Sequence, residues 1–177
     1  EICQKAGYNR STFYKYFLDI YDLRQQLEDM LVSKVHNPLL HTYYDNFESD
    51  PESARLIQGF EMYYVPNRIY FLALWGDYGD PEYVTKSISA IKGNLLPVLN
   101  SLDIPKDDIY VEYLAEFYAA GHIKSLLLWL NSMGGENEMS AAEIVKFLQT
   151  IRFKGIFSVG KYRGEELQKE LSGKSAD

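Results

Sequence analysis

Apolar residues recur at helical spacing along most of the chain. Residues 22–35 show the clearest case, because apolar side chains recur there at intervals of three and four. They are Leu23, Leu27, Met30 and Leu31. This spacing places them on one face of an amphipathic helix. Two further helices are predicted to begin at Asp50-Pro51-Glu52 and Asp80-Pro81-Glu82, since proline suits the first helical position and an acid suits the positive end of the helix dipole.

Capping and stop signals divide the rest of the chain into further helices. One is predicted from Asn67 to Trp75, ended by Gly76, and Asp107 or Asp108 caps a longer one that reaches Trp129. The second half of this long helix, Leu126 to Leu130, is apolar all round, so both of its sides must be covered.

The C-terminal part begins with a capping box at Ser140 to Glu143. The helix that follows carries an apolar stripe of Ile144, Leu148, Ile151 and Gly155. Residues 161–177 are polar and charged and are predicted to be a frayed tail. Near the other end, Asn37-Pro38 marks a break and residues 41–50 a polar connection. The whole chain is predicted to be all-α.

The stretch from Gly7 to Phe17 predicts a tight turn followed by a short helix. Asn9 can cap the helix, and Gly7 can take the positive φ that the turn requires. Phe13 and Phe17 fall on one side, where neighbouring helices must clamp them. The other faces carry hydroxyls and cations, which are groups that bind phosphates and base edges. The predicted DNA-binding residues are Arg10, Ser11, Thr12, Tyr14, Lys15 and Tyr16.

The first 23 residues, EICQKAGYNRSTFYKYFLDIYDL, resemble the second half of the helix-turn-helix of TetR-type transcriptional regulators. The matching pieces are Ile2-Cys3, Lys5-Ala6-Gly7, Thr12-Phe13-Tyr14, Phe17 and Asp22-Leu23. The resemblance implies a preceding helix that would cover the two phenylalanines, and the chain starts inside the motif. We therefore expect this chain alone to bind DNA poorly. A lysine common in the family is Ile20 here, which removes one phosphate contact.

The resemblance also implies how the chain is organised. Residues 1–36 are a partial helix-turn-helix head with its connecting helix, residues 37–158 a ligand-binding and dimerisation body, and residues 159–177 a polar tail. In the family, the last two long helices pair with those of a second subunit, which sets two recognition helices ~34–36 Å apart on a palindromic operator. The predicted dimer-interface residues are Leu126, Leu127, Trp129, Leu130, Ile144, Leu148 and Ile151.

Aromatic residues make up 15% of the chain and cluster in the predicted body. Aromatic walls with a few hydroxyl or imidazole groups suit a small apolar or aromatic effector. The predicted ligand-binding residues are Tyr63, Tyr64, Tyr70, Trp75, Tyr83, Phe117, Tyr118 and His122. The alternative is plain core packing, which is what most aromatics at helical spacing do.

Charge and composition restrict the function further. The net charge is −7, yet Lys5, Arg10 and Lys15 oppose only Glu1 in residues 1–17, so the acidic chain carries a locally basic head. The lone Cys3 suits a reducing cytoplasm. The most apolar run is far too short to cross a bilayer, so no membrane association is expected. No histidine falls in a metal-binding spacing and no catalytic motif is present, so neither a metal, a cofactor nor an enzyme is predicted.

These observations predict a ligand-responsive, DNA-binding transcriptional regulator, acting as a repressor. It would bind double-stranded operator DNA as a homodimer and be released by its effector. The alternative is a TetR-like adaptor or sensor that works through protein–protein contacts and binds DNA weakly. A third possibility is an all-α enzyme that uses the aromatic cavity.

Overall fold

The computed structural model describes residues 1–33, 51–99, 104–105 and 107–174, and every regular element in these ranges is helical. The predicted all-α fold is confirmed. The helices are α1 (Ile2–Lys5), α2 (Arg10–Tyr16), α3 (Ile20–Ser33), α4 (Pro51–Tyr64), α5 (Arg68–Trp75), α6 (Pro81–Leu99), α7 (Ile109–Ser132), α8 (Ala141–Thr150), a π-helical turn (Ile151–Ile156) and α9 (Phe157–Lys174). The predicted break at Asn37-Pro38 and the connection over residues 41–50 lie outside the described residues.

The chain divides into two compact units, Glu1–Val35 and His36–Asp177. In the first unit the predicted turn is confirmed, because Gly7 has a φ of 71° and the Asn9 side chain accepts a hydrogen bond from the Thr12 amide at 2.7 Å. Asp19 caps α3, since its Oδ1 accepts from the Tyr21 and Asp22 amides at 2.8 and 2.9 Å. Short polar side chains therefore fix both helix starts.

The buried face of α3 differs from the predicted apolar stripe. Leu31 is fully buried, but Met30 is exposed and Glu28 is buried in its place. Arg24 lies one turn earlier on the same helix, and its Nε is 3.3 Å from the Glu28 carboxylate. A buried acid is tolerated here because a cation reaches it from the helix surface.

The second unit is built around α7, which packs against α5, α6, α8, the π-helical turn and α9. A continuous aromatic cluster lies beside it: Phe60, Tyr64, Phe71, Trp75, Tyr83 and Trp129. Neighbouring ring centroids in this cluster are 4.5–6.3 Å apart, the range favoured by tilted and offset aromatic pairs. The core of this unit is therefore largely aromatic.

Both tryptophan indole groups are hydrogen-bonded inside this core. Trp75 Nε1 donates to Ser87 Oγ at 3.0 Å, and Trp129 Nε1 donates to the Met139 carbonyl at 2.8 Å. Arg68 Nε donates to the Leu130 carbonyl at 2.6 Å, which satisfies an acceptor in the last turns of α7. These bonds attach α5, α6 and the loop before α8 to one another through the core.

The helix starts in this unit follow the predicted signals. Asp108 caps α7 by accepting from the Tyr110 amide at 2.8 Å. The capping box at α8 is complete: Ser140 Oγ accepts from the Glu143 amide at 3.3 Å, and the Glu143 carboxylate accepts from the Ser140 amide at 2.8 Å. The Ser140 amide and the Ser140 hydroxyl both donate to the Glu143 carboxylate, and these two hydrogen bonds hold the pKa of Glu143 below its ordinary value because they favour the charged form.

The prediction of a frayed tail is wrong for most of the C-terminal segment. After α8 the backbone widens into the π-helical turn Ile151–Ile156 and then continues as α9 to Lys174. Propagating an existing helix avoids the cost of nucleating a new one, so a polar segment can remain helical there. Its contact with α7 adds tertiary support.

Replacing Ser140 by alanine should lower the free energy of unfolding by about 1 kcal/mol, because the Glu143 amide loses its side-chain partner at the helix start. Urea unfolding followed by circular dichroism measures this change. Ser172→Ala is the control, since Ser172 is exposed and its hydroxyl donates to the Gln168 carbonyl one turn earlier in α9. Equal losses from the two variants would contradict the capping argument.

Candidate functional site

The predicted DNA-binding residues of α2 fall into two groups. At about 100° per residue, Arg10, Ser11, Tyr14 and Lys15 lie within one half of the helix circumference. All four side chains are exposed. The structure does not place Thr12 and Tyr16 with them, because these two project to the opposite side and line a groove within the first unit.

The hydroxyls of Ser11 and Thr12 both donate hydrogen bonds to the Asn9 side chain. Ser11 Oγ and Thr12 Oγ1 lie 2.7 and 2.8 Å from Asn9 Oδ1, which also accepts from the Thr12 amide. A hydroxyl that donates to the cap still offers its lone pairs. Ser11 can therefore accept from an adenine or cytosine amino group on a base edge rather than donate to guanine.

Lys15 and Tyr16 interact at the end of α2. The Lys15 ammonium nitrogen is 5.6 Å from the centroid of the Tyr16 ring, within the range of a cation–π contact. This contact is worth about 0.5–1 kcal/mol at an exposed site, so it orients the lysine and leaves it free to exchange the ring for a phosphate.

An open groove of about 630 Å³ lies within the first unit. Apolar side chains form most of its lining: Ile2, Ala6, Phe13, Phe17 and Leu23. Phe13 and Phe17 contact each other with ring centroids 5.3 Å apart, but both remain half-buried. The two aromatic anchors predicted to clamp α2 are thus covered on one side only in this unit.

Neither cavity given by the described residues is lined by all eight predicted ligand-binding residues. Tyr64, Trp75 and Tyr83 are buried in the aromatic cluster and touch other rings. Tyr70 and Phe117 are exposed, and Tyr63 is half-buried against Tyr64. Burial raises the tyrosine hydroxyl pKa of both Tyr63 and Tyr64. For the three buried rings the structure favours the alternative of core packing.

The remaining two predicted ligand residues, Tyr118 and His122, do line a cavity. It has a volume of about 10 Å³, which is room for one water-sized group. Two polar residues that the sequence did not indicate, Gln149 and Arg152, line it as well, and its other walls are Phe60, Val145 and Leu148. The four polar residues are each more than nine-tenths buried.

The electrostatics of this cavity follow from burial and from one cation. Burial and, to a smaller extent, the nearby Arg152 guanidinium together lower the pKa of His122 to about 4, so the imidazole is neutral at pH 7. Burial raises the pKa of Tyr118 to about 12, which Arg152 partly opposes. His122 Nδ1 lies 3.3 Å from the Tyr118 hydroxyl, and the direction of that hydrogen bond depends on the imidazole tautomer.

The missed residues were visible in the helical spacing. Arg152 follows Val145 by seven positions and Leu148 by four, so it continues the buried face of α8 into the π-helical turn. The predicted stripe of Ile144, Leu148, Ile151 and Gly155 is rotated away from this face. Ile151 is in fact exposed and Arg152 is buried.

The predicted dimer-interface residues are mostly used inside the chain. Leu126, Trp129, Leu130, Ile144 and Leu148 are buried in the second unit and offer little surface to a partner. Leu127 is half-buried and Ile151 is exposed. Several other large apolar side chains of α7 and α8 are exposed instead: Tyr113, Phe117, Leu128 and Phe147.

The described ranges contain neither a metal-ion cluster nor a membrane-spanning helix. No cluster of three or more histidine, cysteine, aspartate or glutamate side chains there has a geometry that could hold a metal ion. Likewise, no helix in the part of the chain that the structure describes is long and apolar enough to cross a membrane.

Comparison of the chain with protein families, with curated proteins and with solved structures finds no match.

Lowering the pH should destabilise the second unit through His122. Its folded pKa of about 4 lies below the unfolded value of 6.5, so the unfolded chain takes up the proton first as the pH falls. The free energy of unfolding that depends on a neutral His122 is fully present above pH 6.5 and is lost as the pH falls from 6.5 to 4. The difference between the folded and unfolded pKa of His122 corresponds to about 3 kcal/mol of unfolding free energy, at about 1.4 kcal/mol for each pKa unit.

Urea unfolding at a series of pH values measures this loss. Because carboxylates also titrate in this range, the quantity of interest is the difference between the wild type and His122→Phe, which should lose this part of the pH dependence. Tyr118→Phe is the control, since it alters the same cavity but keeps the imidazole. Identical pH profiles for the wild type and His122→Phe would contradict the assignment of a buried neutral histidine.

Proposed function

We propose that this protein is a cytoplasmic, ligand-responsive transcriptional regulator of the TetR type, which acts as a repressor. It would bind a palindromic operator as a homodimer and be released by a small-molecule effector. The observation that carries the proposal is α2: a glycine turn, an asparagine cap and a short helix with a polar, cationic exposed half. This combination suits insertion into the major groove.

The exposed half of α2 supplies both kinds of DNA contact. Arg10 and Lys15 can neutralise phosphates or reach guanine acceptors, and the Tyr14 hydroxyl can bond to a phosphate oxygen. Ser11, whose proton is held by Asn9, contributes an acceptor. The set of base-reading residues is therefore Arg10, Ser11 and Lys15, rather than one that includes Thr12.

The exposed stripe of α7 supports the homodimer. Tyr113, Phe117, Lys124 and Leu128 are separated by four, seven and four positions, so they follow one line along the helix surface. Three of these four side chains are large apolar groups, each 71–72% exposed. Exposed apolar rows of this length favour association, and the matching row of a second copy would cover them.

The small-molecule response would arise in the second unit. An effector that binds there changes operator affinity only if it favours one arrangement of the dimer over another. A coupling of about 1–3 kcal/mol between the two sites changes affinity about 5–150-fold, which is sufficient for induction.

A second function, that of a TetR-like adaptor acting through protein contacts, is favoured by residues that follow α2 and begin α3. Leu18, Ile20 and Tyr21 are all more than half exposed, and Ile20 stands where the family commonly has a phosphate-binding lysine. An exposed apolar trio suits a protein partner better than a phosphate backbone.

Replacing Lys15 by alanine should weaken DNA binding and reduce its salt dependence. If Lys15 contacts a phosphate, the slope of log affinity against log salt concentration should fall by about 1 in magnitude. The measurement is fluorescence anisotropy of the full-length gene product with a duplex selected from a random-sequence library, at several salt concentrations.

Lys169→Ala is the matched control, since Lys169 is an exposed lysine on α9. It should leave both affinity and slope unchanged. Failure to select any sequence would contradict the regulator and favour the adaptor. An effect of Lys169→Ala equal to that of Lys15→Ala would show that binding is not centred on α2.

Replacing Phe117 by glutamate should dissociate the homodimer, because a charge would then lie in the centre of an apolar stripe. Sedimentation equilibrium of the two proteins measures the change in mass. Ile69→Glu, at a side chain of similar exposure on α5, is the control and should remain dimeric. A monomeric wild type, or a dimeric Phe117→Glu variant, would contradict the assignment of this surface.

A further inference from the structure

Polar side chains converge in the interior of the second unit, on the cavity lined by Tyr118, His122, Gln149 and Arg152. The first two lie one turn apart on α7. The other two lie three positions apart, at the end of α8 and in the π-helical turn. Burying several polar groups together in an apolar core costs folding free energy. Such a cluster therefore calls for an explanation, and binding a ligand is one.

Gln149 shows what the cavity lacks. Its Oε1 atom is buried and has no hydrogen-bond donor among the described residues. A buried carbonyl oxygen without a donor loses its hydration and gains nothing in exchange. The cavity therefore favours a guest that carries a hydrogen-bond donor.

Arg152 shows the second requirement. Its guanidinium, which is more than nine-tenths buried, acts electrostatically on both Tyr118 and His122. The potential in the cavity is therefore positive at both of these groups. An electron-rich oxygen on the guest would be favoured at such a site.

A hydroxyl group meets both requirements, since it can donate a hydrogen bond to Gln149 Oε1 while its oxygen faces the Arg152 guanidinium. A carboxylate would meet only the second, and an apolar group neither. The remaining walls, Phe60, Val145 and Leu148, are apolar, and Phe60 offers a ring face. We propose that this cavity binds the hydroxyl group of a phenol-like molecule, with the aromatic ring of that molecule against Phe60.

This inference rests on the proposed function only for its biological meaning, because such a molecule would be the effector of the regulator. The cavity of about 10 Å³ accepts the hydroxyl alone, so the ring must separate Phe60 from Leu148 as it enters. The adjoining π-helical turn is a feature that recurs at functional sites, where the helix departs from regular packing. Movement of α8 against α7 is the expected result of binding.

The test compares phenol with two analogues. Fluorobenzene has nearly the same size but no donor, and benzoate carries a charge but no donor at neutral pH. Affinities for the wild-type protein are measured by isothermal titration calorimetry and by two-dimensional amide NMR titration. Phenol should bind about five- to tenfold more tightly than fluorobenzene, which is the factor expected for one net hydrogen bond.

Gln149→Met should remove the preference for phenol over fluorobenzene, since methionine fills the same space without the acceptor oxygen. Gln58→Met, at an exposed glutamine of α4, is the matched control and should keep the preference. If Gln149→Met does not fold, the wild-type NMR titration decides: phenol should shift the amide signals of Tyr118, His122, Gln149 and Arg152.

Equal binding of phenol and fluorobenzene would overturn the proposal, as would a phenol preference that survives Gln149→Met. Tighter binding of benzoate than of phenol would assign the cavity to anions instead. Amide shifts confined to other parts of the chain would place the binding site elsewhere. None of these measurements involves DNA, so their failure is distinguishable from failure of the regulator proposal.

Discussion

The second unit depends on one constraint, which is that α7 carries apolar side chains on almost every side. Ten of its 24 residues are buried, and at about 100° per residue they fall within one half of the helix circumference. That half packs against α5, α6, α8 and α9, while Tyr113, Phe117 and Leu128 on the opposite half are exposed. The aromatic cluster is the consequence, because large rings from α4, α5 and α6 fill the space on one side of α7 and meet its Trp129.

The features that the sequence predicted well are local. Caps at Asn9, Asp108 and Ser140 require only a few neighbouring residues, and the structure contains all three. The all-α class follows from periodicity in the same way. Whether the chain acts as a TetR-type regulator is a different question, and that prediction still rests on the resemblance of the first 23 residues and on the geometry of α2.

The features that the sequence did not predict are those decided by tertiary packing. Glu28 and Arg152 are charged and buried, and composition alone assigns such residues to the surface. The aromatic residues show the opposite error. Trp75 and Phe117 are both predicted to line a ligand site, yet Trp75 lies in the core and Phe117 on the surface. Which ring lines a cavity depends on how the helices pack against each other, and periodicity on one helix carries no information about its neighbours.

The location of the two tryptophans has a spectroscopic consequence. Trp75 and Trp129 are the only tryptophans of the chain, and both are buried in the second unit with their indole N–H groups hydrogen-bonded. Trp129 also contacts Phe60, which forms one wall of the polar cavity. Intrinsic tryptophan emission therefore reports on this unit alone. It can detect binding at the cavity without an added label, and α2 contributes no tryptophan to it.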